Sequence, residues 1–375
     1  MSRWSNYLTK AVNALDTNID KVRYKLSERF GKDALVAFPY ITYGTKDKLF
    51  VKGRVLEARN IQPADEDDSL WENFKSAYQR FETDEVPYAT VKLSFGDVSK
   101  TVEADDEGYF ESWLELSAPL PEDHAYMQEV DVELISPIRE EQVQTHFTAS
   151  VIVPGKDAEF GVISDMDDTV LQTGATSIMS MAKKTLFGNA KTRLPFEGVN
   201  AFYQALHRDK NPIFYVSSSP YNLYDVLVEF LDINDIPAGP LMLRDWGVSA
   251  DELLPTSHGS HKIDSIEQIL TTYPDLSFLL IGDSGQEDPE IYKEIVSKYP
   301  EQITGVYIRD VSEDAARDKE VQALADELAK INEELLLVPD TITAAKHAVA
   351  NGGIPAEAIA SIEQAKAEDE QEPIV

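Results

Sequence analysis

Three carboxylates, Asp165, Asp167 and Asp168, fall within four residues, directly after the apolar run Phe160-Gly161-Val162-Ile163-Ser164. Crowded so closely they repel one another, and the cost falls when a divalent cation neutralises them or one keeps its proton. A hard cation such as Mg2+ suits oxygen ligands and usually engages a substrate phosphate as well. Spacing separates two roles. Asp165 can attack as a nucleophile, as aspartyl-phosphate chemistry requires. Asp167, two residues on, can protonate a leaving alkoxide and then deprotonate water. An acidic turn accounts for an isolated D-x-D equally well, so the choice rests on the remainder of the chain.

Three later stretches supply complementary chemistry. Ser217 opens Ser217-Ser218-Ser219-Pro220 and can donate a hydroxyl to phosphate. Lys262 stands where a helix is expected to begin, a place the macrodipole disfavours for a cation, and a point charge on the substrate phosphate gives it a reason. The stretch Gly282-Asp283-Ser284-Gly285-Gln286-Glu287-Asp288 offers Asp283 as a second metal ligand and Asp288 to orient the ligands. Its glycines allow close backbone approach. His261 is given no role.

The elements that must position these residues read as a parallel α/β sheet. Phe160 to Ser164 is a short apolar run bounded by Gly161 and a polar cluster, the pattern of a strand covered on both faces. Ile213 to Val216, Gly239 to Leu243, Leu276 to Ile281 and Val306 to Arg309 repeat it, with helices between, and Val306 to Arg309 is expected to close the sheet. The acids then sit at strand carboxyl ends, where open α/β sheets bind their ligands.

Four consecutive βα units thus deliver Asp165 and Asp167, Ser217, Lys262, and Asp283 with Asp288, in that order. This arrangement resembles the haloacid dehalogenase superfamily of phosphotransferases, with its D-x-D-x-T, strand-terminal Ser/Thr, Lys and acidic G-D-x-x-x-x-D motifs. More narrowly, F-G-V-I-S-D-M-D-D-T, Y-V-S-S-S-P-Y, H-K and I-G-D-S-G-Q-E-D-P-E-I-Y look like the catalytic domain of the actin-patch-associated phosphatidate phosphatase family. The resemblance implies Asp165 as nucleophile and Asp167 as acid/base, with Asp167 also binding metal through its carbonyl. Ser217 and Lys262 would hold phosphoryl oxygens, and Asp165, Asp167 and Asp283 would bind Mg2+, with Asp288 behind them. It implies phosphatidate, or another phosphomonoester, as substrate. The Pro-rich regions of the eukaryotic members are lacking, so an endocytic role does not carry over.

Composition limits the alternatives. The 375 residues contain no cysteine, which excludes disulfides, zinc thiolate sites and cysteine catalysis. No signal peptide and no apolar run long enough to span a bilayer stands out, so a soluble, cytoplasmic protein is expected. A net charge of −33 disfavours nucleic acid as a partner. That charge is uneven: 11 basic against 5 acidic residues in positions 1–54 leave +6 there and −39 on the rest. Within 5–30, Leu8, Ala11, Val12, Leu15, Ile19, Val22 and Leu26 recur at helical spacing. This amphipathic helix, led by Trp4, either docks on its own protein or lies peripherally on an anionic membrane.

The chain is accordingly divided into an N-terminal helix and basic linker (1–45), a β-rich sandwich-like accessory domain (46–153), a haloacid-dehalogenase-like Rossmannoid catalytic domain with a small cap insertion after Thr169 (154–312), and an acidic helical extension with a frayed tail (313–375). Within the second of these, 63–85 is an acidic insertion. A phosphatase acting on a soluble phosphomonoester or a phosphoprotein, and a non-catalytic membrane or protein adaptor, are the competing expectations.

Overall fold

A computed structural model describes residues 34–58, 85–140, 142, 144–167, 169–170, 196–244, 257–312 and 314–370. The expected helix at 5–30, most of the insertion at 63–85, the cap insertion and the last five residues of the tail expected to fray from Ala365 to Val375 lie outside them; the start of that tail is helical instead, in a helix that runs to Asp369. By its contacts the chain divides into two compact units, one up to Lys156 and one from Asp157 onward.

In the first unit, runs rich in β-branched and aromatic residues alternate between core and solvent. Val91 and Leu93 of β4 (Thr90–Phe95) are fully buried while their neighbours are not. A three-stranded antiparallel sheet joins β1 (Ala34–Pro39), β3 (Lys48–Ala58) and β6 (Tyr109–Glu115). A five-stranded sheet runs β2 (Thr42–Tyr43), β8 (His146–Ile152), β7 (Met127–Ser136), β4 and β5 (Val98–Glu103), with only the β2 to β8 pair parallel. Leu49, Val51 and Val55 of the first sheet and Val130, Val132 and Ala149 of the second are fully buried, the inner layers of a sandwich.

The second unit is a six-stranded, wholly parallel sheet with helices. In chain order it comprises β9 (Gly161–Asp165), α1 (Val199–His207), β10 (Ile213–Pro220), α2 (Tyr224–Ile233), β11 (Leu241–Arg244), α3 (Ser257–Thr272) and β12 (Phe278–Asp283). There follow α4 (Asp288–Lys298), β13 (Ile303–Arg309), α5 (Ala315–Ala329), β14 (Leu335–Val338), α6 (Thr341–Ala350) and α7 (Ala358–Asp369). Every residue of β9 and β12 is buried, as their unbroken apolar runs require. The strand order is β11-β10-β9-β12-β13-β14. The chain therefore builds outward from β9 on one side, returns, and builds outward from β12 on the other. Between β9 and β12 lies the point where the direction reverses, the place at the strand carboxyl ends where open α/β sheets bind ligands. Among the described residues no helix is long and apolar enough to cross a membrane.

The sheet does not close at β13. β14 pairs with it from Val306↔Leu335 to Arg309↔Val338, so residues after 312 add a strand as well as helices. The extension expected to be helical is therefore interrupted: α5 ends at Ala329, and Leu335, Leu336 and Leu337 belong to β14. The last helix also caps the first: Asp369 Oδ2 accepts from the Gly198 amide at 2.8 Å, at the start of α1. Gly198 has φ +71°, a conformation glycine adopts without strain.

Asp340 starts α6, accepting from the Thr343 amide at 2.8 Å, and pairs with Lys366 of α7 at 2.8 Å. Burial alone would raise its carboxyl, but the bonds from Lys366 and Thr343 hold it down at about 2. A folded-state value below the unfolded one contributes stability above pH 4 that is lost as pH falls toward 2. Asp340→Ala is therefore expected to cost about 1 kcal/mol at pH 7, the usual worth of an N-cap. Urea titrations of both proteins should show the gap closing between pH 4 and pH 2; a gap independent of pH would contradict the assignment.

Candidate active site

β9 carries Asp165 to the switch point at its carboxyl end, and Asp167 follows two residues later. Their side chains are 1% and 5% exposed. Lys262, on α3, extends its ammonium to 2.7 Å from Asp165 Oδ1 and 2.5 Å from Asp288 Oδ1. Asp288 is the first residue of α4, where the helix dipole favours a carboxylate. Its other oxygen accepts from the Asp283 amide at 3.2 Å, so both its oxygens are engaged. Asp283, ending β12, is aimed by its own loop: Oδ1 accepts from the Gly285 amide at 2.7 Å and the Gln286 amide at 3.0 Å. One oxygen each of Asp165, Asp283 and Asp288 lies within 4.8 Å of the others. Gly282 makes this close approach possible, since a Cβ there would stand 2.6 Å from Asp288 Oδ2.

Asp167 faces the other way, toward β10. Its Oδ2 accepts from Ser217 Oγ at 3.1 Å and, more weakly, from Ser219 Oγ at 3.4 Å. Ser217 Oγ in turn accepts from the Ser219 amide at 3.0 Å, which directs its proton to Asp167. The backbone carbonyl of Asp167 lies 3.4 Å from Gln286 Nε2. The structure thus brings Asp165, Lys262, Asp283 and Asp288 into one cluster and Asp167 with Ser217 into a second beside it.

Burial is the largest force on the Asp165 carboxyl and drives it well above the usual carboxylate range; Lys262 opposes this, while Asp288, Asp167 and Asp283 add to it. Burial alone would lower the Lys262 ammonium, but the charges of Asp165 and Asp288 outweigh it and raise it. Among the described residues, Lys262 thus stands as one buried ammonium between two buried carboxylates, Asp165 and Asp288. Asp165 Oδ2 has no hydrogen-bond partner, nor has the buried hydroxyl of Thr169. A buried carboxylate oxygen left bare is costly unless a ligand completes it. An all-oxygen donor set of carboxylates fits a hard divalent cation.

Two residues stand differently from the expectation. Lys262 is not at a helix start, because α3 begins at Ser257 and places it in the second turn. Its buried ion pairs, not the macrodipole, account for it. β10 runs to Pro220, so Ser217 lies within the strand instead of at its end. Ser219, two residues on and so on the same face, was open to that period-two argument. Gln286 carries no comparable signal, being one polar residue in a polar loop.

Residues 160–310 match the family model described as "Phosphatidate phosphatase APP1, catalytic domain". The chain is 31% identical over 199 residues to Phosphatidate phosphatase APP1 of Saccharomyces cerevisiae, covering 51% of this chain and 33% of that protein. It is 29% identical over 188 residues to an uncharacterized protein of Schizosaccharomyces pombe, covering 49% and 30%. The chain thus spans about a third of the length of these curated relatives. A solved structure, of a carbohydrate acetylesterase from Xanthomonas citri, aligns at 12% identity with a TM-score of 0.25 over 74% of this chain and 69% of that one, too slight a likeness to bear on the fold. The family resemblance carried by the four motifs is borne out over residues 160–310.

Proposed function

We propose that residues 160–310, similar as they are to a phosphatidate phosphatase catalytic domain, form the core of a Mg2+-dependent phosphatase of the haloacid dehalogenase type. Its reaction is hydrolysis of a phosphomonoester, with phosphatidate to diacylglycerol and phosphate as the preferred case. The observation that carries the reading is Asp165, buried at the switch point with one bare oxygen and Lys262 at 2.7 Å. A carboxylate so placed can attack.

In the first half-reaction an Asp165 oxygen forms a bond to phosphorus as the ester P–O bond breaks, and Asp167 gives a proton to the departing alkoxide. In the second, Asp167 takes a proton from water, the water oxygen bonds to phosphorus, and the Asp165 carboxylate leaves. Ser217 holds Asp167 in place between these proton transfers, and its hydroxyl would donate to a phosphoryl oxygen of the bound substrate. Lys262 offsets charge on the phosphoryl oxygens and on Asp165 in turn. Asp165, Asp283 and the Asp167 carbonyl would hold Mg2+, and Asp288 would orient Lys262 and Asp283. Bound there, Mg2+ would neutralise phosphoryl charge as a Lewis acid.

A bilayer-borne substrate suits the basic amphipathic stretch at 5–30, whose peripheral contact with an anionic membrane from the cytoplasmic side belongs to the same proposal. The test is phosphate release by the purified protein with Mg2+, comparing phosphatidate in mixed micelles with p-nitrophenyl phosphate and a panel of soluble phosphomonoesters. Preference for phosphatidate is expected. Activity on soluble esters alone would keep the chemistry and discard the lipid; no phosphatase activity at all would favour an adaptor.

A further inference from the structure

The loop from Gly282 to Glu287 aims Asp283 with the amides of Gly285 and Gln286, and those amides need holding in their turn. Their neighbouring carbonyls point away from the site, into one guanidinium. Arg317 Nε donates to Ser284 O at 2.8 Å and Nη2 donates to Gln286 O at 2.7 Å. The same group pairs with both oxygens of Glu290 in the first turn of α4, at 2.5 and 2.9 Å. Ser284 Oγ is held as well, accepting from the amides of Val311 and Ser312 at 3.0 and 3.2 Å. Arg317 belongs to the first turn of α5, whose N-cap Asp314 accepts from Ala316 at 2.8 Å. All of these outer holds, Glu290 excepted, come from residues beyond 310, outside the segment that matches the family model.

We propose that Arg317 is a positioning residue that clamps the 283–287 loop so that the Asp283 carboxylate is aimed before Mg2+ arrives. The inference rests on the Mg2+ reading of the centre. A planar fork meets two carbonyls and a carboxylate at once. A lysine ammonium has the charge but not this fixed geometry, so Arg317→Lys is expected to behave like Arg317→Ala.

The full-length protein and both variants are compared by two readouts. In metal-free protein, amide hydrogen exchange in the peptide spanning 283–288 is expected to quicken by about tenfold or more in both variants. By calorimetry, Mg2+ binding is expected to weaken by about tenfold, as when the partners that orient metal ligands are lost, while kcat at saturating Mg2+ changes little. Lys293→Ala is the control: it breaks the Lys293–Glu327 pair between α4 and α5, 2.6 Å long, without touching the loop. It should leave both readouts at wild-type values. Arg317 variants with wild-type exchange and Mg2+ affinity overturn the clamp while leaving the reading of the centre standing. Equal shifts in Lys293→Ala overturn it too, since Arg317 would then act only by docking α5. Wild-type protein that binds no Mg2+ overturns the reading of the centre itself.

Discussion

Asp165→Asn is expected to lower turnover by ~10^4-fold or more, the scale seen when a covalent nucleophile is removed, while the folded protein becomes no less stable. The amide cannot form an acyl phosphate that water releases, so the first bond to phosphorus is lost. Stability moves the other way because the carboxylate is strained where it stands. Burial and three neighbouring acids disfavour its charge, and one of its oxygens has no hydrogen-bond partner. Asparagine keeps the shape without the charge, and Lys262 still has Asp288 at 2.5 Å. Phosphate release and urea midpoints in chelator measure the two effects separately. A variant that retained wild-type turnover would remove Asp165 as nucleophile, and one that lost several kcal/mol would mean that the charge is supported by contacts other than those described.

Lys262→Met has the largest expected effect on stability. The ammonium is 4% exposed and pairs with two carboxylates that are no more than 1% exposed. Removing one partner of a buried ion pair typically costs about 3–5 kcal/mol, because the other charge stays behind. Here two stay behind. The sign with pH follows from Asp165: without Lys262 its folded-state value rises further above the unfolded one, so the penalty is slight in acid and grows as pH climbs through that folded value. The measurement is urea unfolding of metal-free protein across that range. A deficit that stays under about 1 kcal/mol at every pH would mean that the pair is close to break-even, as buried pairs can be. Activity should fall as well, the phosphoryl oxygens losing their point charge.

Part of the site was legible because Asp165 and Asp283 each end a short apolar run. β9 and β12 are buried on both faces, so their sequences are unbroken hydrophobic stretches that stop at acids, and Asp165 and Asp283 mark themselves. Which side chains meet was not legible: that Lys262 stands between Asp165 and Asp288, and that Ser217 donates to Asp167, emerges only from the structure. What escaped depends on contacts remote in sequence. β14 is four residues long, three of them leucines that suit a helix equally well, and only pairing with β13 makes them a strand. Arg317 reads as one basic residue on an acidic helix; its role exists only because two carbonyls of the β12 loop turn toward it. Lys262 was found for a mistaken reason, since Ser257 to Ser260 extend its helix upstream past Gly259.

The strand order also has a consequence in time. β9 lies between β10 and β12, and its pairing Ser164↔Ile281 spans more than a hundred residues of chain. As the polypeptide leaves the ribosome, Asp165 emerges early and waits, one edge of its strand open, until β12 and the head of α4 arrive with Asp283 and Asp288. Only then does Lys262 gain its second carboxylate. The buried cluster around Asp165 is thus completed by late synthesis, and long-range closures of this kind are slow. A nascent chain halted after Leu276 should be cut by protease near β9, whereas one extended past α7 should resist; equal resistance in both would show that the sheet's first half folds unaided.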